Sequence, residues 1–130
     1  MLQPQEVLVT KLLPTLRARV AQVLLETYGM KQVQVAKLLG ITQAAVSHYN
    51  TKSRGIDKDV VRLFPEIEGF AKDLAGKIHG GMSRTGQIAA FNAICGQILV
   101  TERFCNYHKR IADIDPGCAI CFPATGKIAR

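Results

Sequence analysis

The sequence predicts an all-α protein assembled around a helix-turn-helix. Apolar residues recur at three- and four-residue spacing in one segment after another, and Pro, Gly or a hydroxyl cap bounds each segment, the pattern of short amphipathic helices. Within Lys31–Asn50, KQVQVAKLLGITQAAVSHYN, two such segments meet at Gly40-Ile41-Thr42. A third observation sets the last part of the chain apart: all four cysteines lie between positions 95 and 121. The expected organisation is a helix-turn-helix domain over residues 1–79, then a small helical, cysteine-rich segment over 80–130 able to bind a metal or cluster. Gly80-Gly81 marks the boundary.

Each element has a local cause. Val7, Leu8 and Leu12 lie at helical spacing in residues 4–12, a short first helix that Pro14 cannot continue; Pro14 suits the opening turn of the next one. That second helix, about Thr15–Tyr28, is expected to bury Leu16, Val20, Val23, Leu24 and Tyr28 and to end at Gly29. Arg17 and Arg19 sit on its solvated face, with phosphate contact as the alternative. In the central motif Val35, Ala36 and Leu39 share one helical face, and Val46 and Tyr49 share another. Gly40 stands where a left-handed residue is cheap only for glycine, Thr42 offers a hydroxyl N-cap, and Ala36 is small where two crossing helices approach closely.

Further on, Thr51–Gly55 reads as a polar basic loop and residues 57–64 as a short helix stopped before Pro65. Glu66–His79 follows as a helix with Ile67, Phe70, Leu74, Ala75 and Ile78 inward. His79 stands in its last turn, near the negative end of the helix dipole. Ser83 caps a helix over Arg84–Leu99 whose apolar face carries Ile88, Phe91, Ile94, Cys95 and Ile98, and a last helix covers about Glu102–Ile111. Asp113–Pro123 is irregular.

Composition narrows the function classes. The formal charge is +7, from 17 Lys+Arg against 10 Asp+Glu, and residues 1–56 alone hold seven basic and two acidic side chains. The positive charge therefore concentrates on the segment that contains the motif, as a phosphate-binding face requires. The longest apolar stretch, Ile88–Val100, is interrupted by Asn92, Gly96 and Gln97 and is too short to span a bilayer, so no membrane is expected as partner. Met1–Glu6 lacks a basic region followed by an apolar run, so the expected location is cytoplasmic. There, cysteines serve more often as metal ligands or redox centres than as structural disulfides. No Gly-rich phosphate loop, paired carboxylates or nucleophile–base pair stands out, and no enzyme is expected.

Setting Val46 and Tyr49 inward leaves Gln43, Ala44, Ser47 and His48 outward, all short or hydrogen-bonding. Such residues suit base edges in a major groove, whereas a merely solvated helix carries Glu and Lys more often. The competing reading is an αα-hairpin that only packs. Gln32, Ala36, Gly40, Gln43 and Val46, within the string LLGITQAAVSHY, resemble the lambda-repressor/Cro-like (XRE) class, tightly over Lys31–Asn50 and loosely over the first sixty residues. The resemblance implies a lambda-repressor-like bundle whose partner is double-stranded DNA, bound by a homodimer on an inverted repeat. Gln43 would read a purine edge after the Thr42 cap, and Ala44, Ser47 and His48 would add contacts. Gln32, with Lys52 and Arg54 of the basic loop, would fix the phosphates.

The cysteines are spaced C-x9-C-x12-C-x2-C, and His108 lies three residues after Cys105 on one helical face. Two residues between Cys118 and Cys121, after Pro116-Gly117, let both thiolates reach one metal. Zinc held by four cysteines, or by three and His108, is one solution; an iron–sulfur cluster at Cys95, Cys105, Cys118 and Cys121 is the other. The single C-x2-C pair in an apolar setting favours the cluster. Cys95 on an apolar helix face also reads as a small buried hydrophobe, and Cys118–Cys121 as a metal-free thiol switch. This part resembles a group of prokaryotic XRE-like regulators whose cysteine-rich C-terminal segment carries an iron–sulfur cluster. In that group the first cysteine belongs to its own C-x2-C pair, where this chain has Ile98; Cys105 and His108 match a C-x2-H.

The expected function is a sequence-specific DNA-binding transcriptional regulator modulated by an iron–sulfur cluster, through redox or iron sensing. The alternatives are a regulator with a purely structural zinc site and, from another class, an iron–sulfur electron carrier or enzyme that uses the helices as scaffold.

Overall fold

Pro14 does not break the first helix. In the computed structural model, which describes residues 2–50 and 55–118, α1 (Pro4–Val7), a π-helical turn (Leu8–Leu12) and α2 (Leu13–Glu26) follow one another without a gap. Leu13 N–H donates to the Leu8 carbonyl, five residues back. Proline lacks an N–H, and its ring crowds the carbonyl four residues back; the wider π turn accommodates both.

The remaining elements are α3 (Gln32–Leu39), α4 (Gln43–Asn50), α5 (Lys58–Leu63), α6 (Glu66–His79), α7 (Arg84–Leu99) and α8 (Glu102–Ala112). Among the described residues the regular structure is entirely helical, in agreement with the all-α expectation. Ser83 caps α7 as expected, and Asp57 and Thr101 act as further caps. Asp57 accepts from the amides of Asp59 and Val60 ahead of α5, Ser83 from Gly86 N–H ahead of α7, and Thr101 from Phe104 N–H ahead of α8.

Helix α2 is the centre of the molecule and packs against α6, α4 and α3. Leu16, Val20 and Leu24 of α2 meet Ile67, Leu74 and Ile78 of α6, all fully buried. The same core continues across the Gly80-Gly81 turn into Ile94 and Ile98 of α7 and into Phe104 and Tyr107 of α8. Phe64 joins the two parts. It is buried against Phe104 (ring centroids 6.4 Å) and edge-on to Tyr107 (6.0 Å). Above it, Arg103 pairs with Glu66 and donates to the Leu63 carbonyl at 3.1 Å.

Two side chains expected inside are outside. Tyr28 lies beyond the end of α2, is exposed and stacks on the ring of His79 (4.4 Å). Ile88 points away from the core and is 65% exposed, because α7 turns Gln87 inward and the apolar face begins in earnest only at Ile94.

Candidate nucleic-acid interface and the cysteine segment

Gly40 ends α3 with φ 65° and ψ 34°, the left-handed conformation that L side chains resist. Its N–H and that of Ile41 both reach the Ala36 carbonyl. Two residues on, Thr42 Oγ1 accepts from Ala45 N–H at 3.1 Å and so starts α4. Val35, Ala36 and Val46 are buried where α3 and α4 meet. From α4, Val46 is fully buried, and Tyr49 is partly buried against the same core, as are Leu38, Leu39 and Ile41 of the hairpin.

Neighbouring elements supply the rest. Gln22, buried on α2, donates from Nε2 to the Tyr49 carbonyl at 2.9 Å and pins the last turn of α4. Arg19 holds Gln22 Oε1 and also forms a two-pronged pair with Glu68 of α6. The Arg19 hydrogen bond keeps the Glu68 carboxyl below its ordinary value despite partial burial. Arg19 therefore ties α2 to α6 in a half-buried network, in place of the solvated or phosphate-facing position expected for it. On the other side, Arg84 donates to the Lys37 carbonyl (3.1 Å) and Gln87 Nε2 to the Leu38 carbonyl (2.9 Å). These are orphan carbonyls at the end of α3, and a guanidinium there also opposes the negative end of the helix dipole.

With the helix anchored from behind, Gln43, Ala44, Ser47 and His48 form one exposed ridge, spaced i, i+1, i+4 and i+5. Gln43 and Ser47 have no hydrogen-bond partner among the described residues, and His48 has only the edge of the Tyr49 ring at 6.0 Å. Gln32 is half-buried at the start of α3, and Gln34 Oε1 caps that helix by accepting from Lys31 N–H. Lys52 and Arg54 lie outside the described residues.

The cysteines are placed separately. Cys95, on α7, and Cys105, on α8, are buried. Burial pushes the Cys95 thiol up, and Arg17 nearby lowers it only in part, so Cys95 is held as a neutral thiol. Beside Cys105, His108 Nε2 meets the Leu2 carbonyl at 2.8 Å, which ties α8 to the start of the chain. Cys118 is half-buried in a turn where Asp115 receives the N–H groups of Gly117 and Cys118. Cys121 lies outside the described residues. Among the described residues no three His, Cys, Asp or Glu side chains converge as a metal site, so they do not by themselves fit a cluster or zinc.

Gln22, Arg84 and Gln87 carry no sequence signal, because each acts on a backbone carbonyl brought to it by the fold. One legible signal was passed over: from Thr27 to Ile56 the chain has no Asp or Glu, while Lys31, Lys37, Lys52 and Arg54 fall inside that span. Among the described residues, no helix is long and apolar enough to cross a membrane. Comparison with protein-family models, with curated proteins and with solved structures returned no match.

Proposed function

We propose that this chain is a sequence-specific DNA-binding regulator that reads the major groove with α4. The observation that carries the reading is the exposed ridge of Gln43, Ala44, Ser47 and His48, left without hydrogen-bond partners among the described residues on a helix fastened from behind. Short polar side chains on a carboxylate-free helix pair suit base edges between two rows of phosphates. In this reading Gln43 makes the principal base contact, and Gln32, Lys52 and Arg54 hold the backbone. Two copies of α4 would occupy successive major grooves, with half-site centres about 10–10.5 bp apart.

Selection from randomised duplexes is the test. The full chain should enrich an inverted repeat, and Gln43→Ala should lose preference at one base pair per half-site. Lys52→Ala should instead weaken binding to every sequence and lower the salt slope by about one unit. Recovery of no consensus, with no duplex bound at low salt, sinks the reading and leaves the helix pair as a packing unit. It would also reopen the electron-carrier or enzyme alternative.

A metal at the cysteines is a second, separate proposal. It rests on Cys118, presented by the Asp115–Gly117 turn three residues before Cys121, with Cys105 as a further ligand and Cys95 or His108 as the fourth. No step of DNA reading runs through it. Metal and sulfide analysis of protein made without air decides between iron–sulfur, zinc and neither.

A further inference from the structure

Between the π turn with α2 on one side and α7 on the other lies an open groove of about 390 Å³. Its walls are mainly apolar: Leu8, Val9 and Leu13 face Ile88 and Phe91, and the Cys95 thiol contributes to the lining. Val9 is 57% and Ile88 65% exposed, so two large aliphatic side chains of this groove are left open to solvent. Arg17 lines the same space, half-buried, and makes no hydrogen bond or ion pair with any other described residue. A half-buried guanidinium without a carboxylate, in an apolar setting, is poorly compensated and calls for an anion. At one end the groove reaches Leu39, Arg84 and Gln87, the residues that join α7 to the end of α3. The Arg84 guanidinium lies so close over Gly40 that a Cβ there would fall 1.9 Å from Nη1.

We propose that this groove is an effector site for a small amphipathic carboxylate, its anionic head on Arg17 and its apolar body between Val9, Leu13, Ile88 and Phe91, and that occupancy is passed to the helix-turn-helix through Arg84. Charge selects the occupant. A second copy packed groove to groove would bring further arginines and no carboxylate to Arg17, since none of the lining residues is acidic. At ~30 Å³ per water-sized group the space suits a body of about a dozen non-hydrogen atoms. The relay is physical: Arg84 touches both the ligand space and the Lys37 carbonyl, so a shift of α7 toward an occupant moves the contact that braces the turn. The regulatory meaning rests on the DNA-reading proposal; the binding site does not.

The probe is decanoate, a carboxylate of suitable size, with decanol as its uncharged counterpart, each titrated calorimetrically into the full chain below micelle-forming concentrations. Decanoate should bind one to one and about tenfold or more tighter than decanol, the difference one charge-assisted hydrogen bond supplies. Arg17→Gln should erase that difference. Ile88→Glu, on an exposed rim position that the fold tolerates, should lose decanoate by charge repulsion, with circular dichroism unchanged in both variants. Equal affinity for the two probes, or no binding of either, overturns the site. So does concentration-dependent dimerisation that Ile88→Glu abolishes without any uptake of decanoate, which would assign the groove to a second copy. The relay is read without DNA: decanoate should slow amide exchange at Gly40 and Ile41, and Arg84→Ala should remove the slowing while ligand still binds. Unchanged exchange at those amides in saturated protein overturns the relay. Absence of DNA binding, with these results intact, would count against the proposed function alone.

Discussion

The helix-turn-helix and the C-terminal pair α7/α8 are fastened to the molecule in opposite ways. Helix α8 commits four side chains, Phe104, Cys105, Tyr107 and His108, to the interior. Helix α4 fully buries one, Val46, packs Tyr49 partly against the core, and is otherwise held by a capping hydroxyl and by Gln22 on its last turn. A helix that buries many residues has little surface left for a partner. A helix held largely by its backbone keeps its outer ridge available, and the groups that hold the helix pair, Gln22 on α4 and Arg84 and Gln87 on the end of α3, come from elsewhere in the chain. The contrast teaches that the segment carrying the cysteines is, in its described part, structural core as much as appendage.

The largest effect should come from breaking the structural side. Phe104→Ala removes a buried ring packed on Phe64 and should cost about 3–5 kcal/mol in urea unfolding. A loss below about 1 kcal/mol would mean that α8 is not part of the core. On the other side Gln43→Ala should cost about 1–3 kcal/mol at one base pair in duplex binding while unfolding stability stays within about 0.5 kcal/mol. Equal losses in both measurements would erase the distinction between the two regions.

Gln22→Ala tests the fastening itself. It removes the donor to the part-buried Tyr49 carbonyl and should cost about 1 kcal/mol or somewhat more of stability. In binding, it should weaken all duplexes alike without changing the preferred sequence, since the ridge remains and only its bracing is lost. A shift of base preference would place Gln22 among the reading residues.

The smallest effect is acid sensitivity. Glu66 and Glu68 are both held below their ordinary value of 4.5, by hydrogen bonds from Arg103 and Arg19 respectively. The unfolded chain then binds protons at a higher pH than the folded one. The contribution of each pair is complete above about pH 4.5 and is lost as pH falls through the lowered values. Glu68 is 41% exposed, so solvent screening limits its pair to ~1 kcal/mol at most. Glu68→Gln should flatten the stability profile below pH 4.5 and leave it parallel to wild type above, as measured by urea midpoints across that range.

Much of the fold was legible because its signals are local. The helix at Glu66–His79 follows from its glycine stop at Gly80 and the one at Arg84–Leu99 from its Ser83 cap, signals that act within a turn of themselves. Gly40 and Thr42 are of the same kind, and their left-handed angle and capping bond are where the residue types require them. Pro14 was legible as an obstacle but not in its outcome: a π turn carries the helix past it, with Val7 and Leu12 both buried on either side of that turn.

What only the tertiary structure decided concerns partners far apart in sequence. Arg19 and Glu68 are 49 positions apart, and so are Gln87 and Leu38; nothing in either local pattern names the other. Whether an arginine is solvated, phosphate-facing or interior depends on which helix lies against it, and that choice is made by the packing of α2 on α6. The same holds for the cysteines. Spacing lists the thiols that could meet, but helix direction decides which do, and α7 and α8 each direct a cysteine into the core. By itself the sequence determined the helices, the tight turn and the chemistry of the outward ridge, because each depends on neighbours within about one or two turns. Only the fold decided how the ridge is braced and where Arg17 lacks a counter-ion among the described residues, because burial and charge pairing are set by surfaces that exist only once the helices have packed.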